Sequence, residues 1–143
     1  MVPPGQGPAS GIGAAIAEAF AKAKGFVYVT DRDEKGGHLT VSRIHEQGGK
    51  AEFLSVDVAV EESCAQLTEK IESERRHIDV LVNNAGIGHV GTILQTSSAD
   101  LDRLYSVNVR GVFNMSKAFL PDMVARKYGV IINLASIGGI VGI

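Results

Sequence analysis

The sequence contains no tryptophan and one cysteine, and none of its apolar runs approaches the length needed to cross a bilayer. A lone Cys64 cannot form an internal disulfide, which excludes a disulfide-stapled secreted scaffold. No basic region followed by an apolar core stands at the amino terminus, so no secretion signal is read there and a cytoplasmic location is expected. Charge of either sign is scarce as a net quantity, −2 with a pI near 6.1. That balance leaves no electrostatic footprint for a polyanion, and neither nucleic-acid nor membrane partners are expected. His38, His45, His77 and His89 are not grouped with one another, with carboxylates or with Cys64 at ligand spacing, so no metal site is expected.

What the sequence does have is apolar content, 45% over 143 residues, enough for one domain over residues 1–143 with a core of its own. No repeat, linker or low-complexity tract divides it. Short β-branched runs alternate with longer segments of helical period, the pattern of parallel strands joined by crossover helices. The spacing predicts strands over 26–31, 51–57, 80–83 and 130–135, the last two nearly all apolar, as strands covered on both faces should be. Ile12, Ile16, Ala19 and Phe20 share one face of a first helix; Val109, Val112, Phe113, Ser116, Phe119, Leu120 and Met123 mark a longer helix near the end, with Pro121 a candidate kink. Cys64 falls on a helical face with Leu67 and Ile71 and reads as packing rather than a reactive thiol.

Gly7-Pro8-Ala9-Ser10-Gly11-Ile12-Gly13 is bare backbone immediately ahead of a helix. Missing Cβ atoms let the chain turn tightly and let N–H groups approach a pyrophosphate, on which the positive end of the helix then acts. Such clusters also build plain turns, so context matters. The next strand ends in Asp31, 24 residues after Gly7, where a carboxylate accepts hydrogen bonds from a ribose diol and repels a 2′-phosphate. NAD is therefore favoured over NADP, with Arg32 next to it able to pair with a phosphate. Asp57-Val58, closing the following strand, presents a side-chain acceptor and a backbone donor to an adenine edge. Asn83-Asn84-Ala85-Gly86 follows the apolar strand residues 80–82, at the end where ligands of open parallel sheets collect; taken alone it is also a turn rich in backbone-satisfying amides.

Together with Asn108-Val109-Arg110-Gly111 and the segment Ile131-Ile132-Asn133-Leu134-Ala135-Ser136, these motifs resemble the short-chain dehydrogenase/reductase family over nearly the whole chain. The resemblance implies an α/β, Rossmann-type doubly wound parallel sheet. It also implies that Gly7, Ser10, Gly11, Ile12 and Gly13 hold the cofactor's pyrophosphate, Asp31 its adenosine ribose, and Asp57 and Val58 its adenine. Asn84, Ala85 and Gly86 would line the path to the nicotinamide. Asn108 matches the family's active-site asparagine, which holds a water in a proton relay, and Ser136 the serine that polarises the substrate oxygen. The activity implied is hydride transfer between NAD(H) and a small-molecule secondary alcohol or carbonyl, by a homodimer or homotetramer in the full-length form.

Two departures stand out. The family's proton donor is a tyrosine beyond the serine, with a lysine four residues later. Here Tyr28, Tyr105 and Tyr128 all precede Ser136 and none has a lysine at that spacing. At the front, Met1-Val2-Pro3-Pro4-Gly5-Gln6 stands where the family has an apolar central strand, and two adjacent prolines cannot serve one because each lacks an N–H. The sheet is accordingly expected to be incomplete. A noncatalytic dinucleotide-binding or interaction module is the alternative from a different class, and another Rossmann enzyme such as a methyltransferase is a third, against which the Asn-Asn-Ala-Gly and terminal serine segments argue.

Overall fold

Two parallel ladders, each closed by a crossover helix, organise the computed structural model, which describes residues 11–74 and 76–136. In chain order the described elements are α1 (Gly11–Lys22), β1 (Phe26–Asp31), α2 (Glu34–Glu46), β2 (Lys50–Ser55), α3 (Glu61–Ser73), β3 (Val80–Asn83), α4 (Ser98–Tyr105), a π-helical turn (Ser106–Arg110), α5 (Gly111–Arg126) and β4 (Val130–Asn133). β1 pairs with β2 in the register Phe26↔Lys50 to Asp31↔Ser55, and β3 pairs with β4 from Val80↔Val130 to Asn83↔Asn133. The helix ends follow local chemistry. Asp33 caps α2 by accepting from Gly36 N–H, and Ser97 and Asp100 form a reciprocal capping box at the start of α4.

Strand alternation decides which helix lies on which face. Val27 and Val29 of β1 and Ala51 and Phe53 of β2 pack with Ala17, Ala21 and Ile44 of α1 and α2. Tyr28 and Leu54, the intervening residues, face the other way, toward Cys64, Leu67 and Ile71 of α3 and Met115, Phe119 and Met123 of α5. Helices thus cover both faces of a parallel sheet, the doubly wound α/β arrangement expected from sequence.

Several boundaries and faces differ from expectation. β2 stops at Ser55 rather than Asp57, and β4 at Asn133 rather than Ala135, because a ladder cannot outrun its partner: β1 ends at Asp31 and β3 at Asn83. One further bond follows each ladder, Val56 N–H to Asp31 C=O and Leu134 N–H to Asn83 C=O. In α1 the buried residues are Gly13, Ala14, Ala17 and Ala21, while Ile12 and Phe20 are exposed. Small side chains let this helix approach β1 closely, and the larger ones are left at its rim. In α5 Phe119 and Met123 are buried as expected, but Gly111, Asn114 and Met115 join them, and Val109, Phe113 and Leu120 are exposed. The π-turn rotates the phase of the apolar pattern between Val109 and α5. The helix runs through Pro121 to Arg126 and ends at Lys127 in the left-handed conformation, φ 55°.

No ladder joins the two strand pairs among the described residues. Instead β1 and β3 face a cavity of about 790 Å³.

Below β3, at its amino end, one guanidinium ties α5 to the strand: Arg126 Nε donates to Asp122 Oδ2 (2.8 Å), and its other nitrogens donate to Asp79 Oδ1 (3.0 Å) and Ile78 C=O (2.9 Å). The Arg126 bond, with the nearby His77, holds the Asp122 carboxyl below its ordinary value of 3.8. A carboxyl depressed by folding binds its proton more readily in the unfolded chain, so its stabilisation is present above that ordinary value and is lost as pH falls through the folded one. Urea midpoints measured between about pH 5 and pH 3 are expected to fall for the parent chain and to fall less steeply for Asp122→Asn, which starts lower. Parallel slopes would show that this network does not carry the acid sensitivity.

Candidate functional site

Parallel strands end together, and residues at or just after the ends of β1, β2 and β3 share one space here. Asp31 terminates β1, Asp57 and Val58 follow β2, Asn84, Ala85 and Gly86 follow β3, and Ser136 follows β4. A hollow of about 70 Å³ is lined by Asp31, Arg32, Asp57, Val58, Ala85 and Gly86, together with Ile87 and Val107. Five residues singled out in the sequence therefore share one wall-to-wall space.

The two acids differ in what already occupies them. Asp31 Oδ1 accepts from the backbone N–H groups of Arg32 (2.7 Å) and Asp33 (3.1 Å), which turns the carboxylate back over its own loop. Asp57 Oδ1 accepts from Ala59 N–H (3.0 Å), and Oδ2 lies 3.4 Å from the Arg32 guanidinium, whose side chain is 64% exposed. Arg32 thus stands between the two carboxylates at the rim, held by a surface ion pair that is weak and exchangeable.

Val58 is fixed by a single turn of α5. Asn114 Nδ2 donates to Val58 C=O (2.9 Å), and a Cβ on Gly111 would lie 2.7 Å from Val58 Cγ2, so only glycine permits this approach. Asn114 is buried and its role was not read from the sequence; the available signal was a polar residue on an otherwise apolar helix face. The Cys64 Sγ lies 3.8 Å from the same carbonyl. Burial first, then the negative charges of Asp57 and Glu61, pushes that thiol up to about 11, which agrees with packing and not with nucleophilic chemistry.

Asn108 sits in the π-turn, a distortion common at functional sites. Its Oδ1 accepts from Ile87 N–H and its Nδ2 donates to Ile87 C=O, both at 2.8 Å. The side chain therefore clasps the segment after the Asn-Asn-Ala-Gly turn, and the neighbouring Val107 and Ile87 both wall the hollow. Asn83, buried at 7% exposure, donates through Nδ2 to Asn133 Oδ1 (2.8 Å) and Ser116 Oγ (3.3 Å), joining β3, β4 and α5. This bridging role was also missed, because nothing in the sequence pairs residues 83 and 133.

The remaining predicted residues separate. Gly11 opens α1 in the left-handed conformation, φ 57°, with no atom of the described residues within 4 Å of where a Cβ would stand, and Ile12 is exposed beside it. Gly13 and Asn84 border the larger cavity between β1 and β3. Ser136 is exposed past the end of β4. Gly7 and Ser10 lie outside the described residues. Among the described residues no group of His, Cys, Asp and Glu could hold a metal ion.

A family model for short chain dehydrogenases matches residues 6–143. The chain belongs to the short-chain dehydrogenase family. Cyclopentanol dehydrogenase from Comamonas is 38% identical over 136 residues, spanning 95% of this chain and 54% of that protein. A 7alpha-hydroxysteroid dehydrogenase from Clostridium sardiniense is 34% identical over 134 residues, 92% of this chain and 51% of its own length. Among solved structures, a metagenomic short-chain oxidoreductase in complex with NADP superposes with TM-score 0.89 at 33% identity, covering 96% of this chain and 62% of that one. An actinorhodin polyketide ketoreductase variant with NADPH gives TM-score 0.91 at 32% identity, covering 96% and 53%. This short-chain dehydrogenase chain spans about half the length of the curated relatives it matches.

The family bears on the tyrosines. Burial, reinforced by a hydrogen bond to Glu74 (2.8 Å), pushes the Tyr28 phenol up to about 12, the opposite of what a proton donor at neutral pH requires. Tyr105 and Tyr128 are exposed. If the Asn108 clasp sets the wall of the hollow, Asn108→Leu should raise amide exchange over residues 85–88 by roughly tenfold while leaving far-UV circular dichroism unchanged, since two hydrogen bonds are lost and no helix is. Unaltered exchange would assign the wall to other contacts.

Proposed function

We propose that the whole protein transfers hydride between a nicotinamide dinucleotide and a secondary alcohol or carbonyl compound, and that residues 11–136 supply its adenosine-binding half. The observation that carries this is the single hollow shared by Asp31, Asp57, Val58, Ala85 and Gly86 at the carboxyl ends of the strands. Those residues fit the group, with carboxylates for a ribose diol and an apolar wall for a purine, and outside the hollow Gly11, exposed at the start of α1, would meet phosphate oxygens. The bound cofactor supplies the hydride acceptor or donor. Asp31 orients the ribose, Val58 is held against the purine by Gly111 and Asn114, and Asn108 braces the wall through Ile87. Ser136 donates its hydroxyl proton in a hydrogen bond to the substrate oxygen, on which charge builds. The proton itself comes from a tyrosine–lysine pair, which residues 1–143 do not contain. Cytoplasmic residence is part of the same proposal, on the strength of the lone Cys64; among the described residues no helix is long and apolar enough to cross a membrane.

Both cofactors are accommodated in this proposal. Asp31 supports NAD, while the exposed Arg32 guanidinium, free to leave Asp57 for a 2′-phosphate, supports NADP, the form held as NADP or NADPH by the two solved neighbours described above. Asp31→Ser is expected to shift the NADP/NAD affinity ratio toward NADP by about tenfold, and Arg32→Ala to shift it toward NAD by a similar factor, in calorimetric titrations. Absence of binding by either dinucleotide would overturn the proposal.

Self-association is proposed through one continuous stripe. Leu101, Tyr105, Val109, Phe113, Leu120 and Val124 are all exposed along α4, the π-turn and α5, a larger run of apolar surface than a solitary helix face normally leaves in water. Phe113→Glu should convert a dimer or tetramer to monomer in light scattering without changing cofactor affinity more than about twofold. A parent chain that is already monomeric would remove this part of the proposal.

A further inference from the structure

We propose that His89 is a positioning residue whose protonation closes the segment between β3 and α4, and that this closure steadies the wall that Ala85, Gly86 and Ile87 give the hollow. What concerns the cofactor rests on the function proposed for that hollow. Burial does not hold the segment. Val90, Ile93 and Leu94 are 80%, 87% and 93% exposed, so few apolar contacts secure residues 88–96, and polar bonds decide whether they stay closed. An inner turn forms from Gln95 N–H to Thr92 C=O (3.0 Å) and from Thr92 N–H to Gln95 Oε1 (3.1 Å). His89 ties that turn to α4: its Nε2 lies 3.0 Å from Thr96 Oγ1 and its Nδ1 3.9 Å from Asp100 Oδ1. Gly91 makes the room, since a Cβ there would lie 3.0 Å from His89 Nε2 and 3.6 Å from Thr96 Oγ1.

The hydrogen-bond network assigns the proton on the ring. Thr96 Oγ1 spends its one hydrogen on Thr92 C=O (2.9 Å), so toward His89 it accepts, and Nε2 carries the N–H. The neutral ring therefore turns a lone pair at Nδ1 toward a carboxylate. Protonation at Nδ1 replaces that contact with an ion pair and leaves the Thr96 bond in place. Asp100 stays charged throughout. Hydrogen bonds from the Ser97 hydroxyl (2.7 Å) and backbone N–H (3.0 Å) to Oδ2, and then the charges of His89 and Arg103, hold its carboxyl below the ordinary 3.8. Residues 84–97 contain no other ionisable side chain than His89. On α4, Asp102 stands two positions from Asp100 and does not share its face, and Arg110 of the π-turn lies over the Tyr105 ring. Closure brings the imidazole to the carboxylate, so it is favoured as pH falls through the imidazole range and lost as pH rises through it. Ile87, two residues earlier, is already clasped by Asn108; a segment fixed on both sides of Gly88 has less to order when a dinucleotide enters.

The test compares the full chain at about pH 8 and about pH 5 by amide exchange corrected for intrinsic rates, by nitrogen shifts of the His89 ring, and by calorimetric titration with NAD. On lowering the pH, exchange over residues 88–96 is expected to slow about two- to fivefold and NAD to bind tighter by a similar factor. Both steps should vanish in His89→Gln, whose amide still donates to Thr96 but gains no charge, and in Asp100→Asn, which keeps an acceptor for the Ser97 N–H. Gly91→Ala, which crowds the ring off Thr96, should speed exchange at both pH values. A neutral ring protonated at Nδ1, a missing exchange step in the parent chain, or a step that survives in either charge-removing variant overturns the clasp. An exchange step with no matching change in NAD affinity overturns the positioning role. Failure to bind NAD at either pH removes the function proposed for the hollow and with it that role, while the exchange and ring measurements still decide the clasp.

Discussion

The carboxyl end of this sheet depends on a buried amide. Asn83 is the last residue of β3, and a polar side chain at that depth destabilises the fold unless its hydrogen bonds are made. Its Nδ2 reaches Asn133 on β4 and Ser116 on α5 together, so strand, neighbouring strand and covering helix are held in one relation. From that junction α5 carries Gly111 and Asn114 to Val58, and the π-turn before it carries Asn108 to Ile87. Val58 and Ile87, two of the hollow's walls, thus trace back to where α5 and the turn before it are set against β3.

The helices contribute position more than chemistry. α5 buries Phe119 and Met123 against α3 and leaves a row of apolar residues outside, while α1 presents small residues to β1. Close approach needs glycine and alanine, and the larger apolar side chains then go where no partner within the described residues covers them.

Electrostatics at the rim are balanced and labile. Asp31 is turned toward its own loop amides and Asp57 shares an exposed, weak contact with Arg32. Such an arrangement gives a ribose diol acceptors and gives a phosphate a cation, which is why NAD preference does not follow from the presence of Asp31 alone. The titratable groups that are strongly perturbed, Cys64 and Tyr28, are raised by burial and serve packing.

The α/β alternation, the parallel strands and the cluster of residues at their carboxyl ends were legible in the sequence because each is a local signal: a β-branched run, a helical period, a turn motif after a strand. Family membership was legible for the same reason, since its motifs are short and ordered. What the sequence could not determine were pairings across long separations. Asn83 with Asn133, Asn108 with Ile87, Asn114 with Val58, and the stopping points of β2 and β4 depend on which elements become neighbours. The buried faces of α1 and α5 were misassigned on the same account: apolar periodicity says that a face exists, but burial goes to the side chains whose size matches the gap the packed sheet leaves.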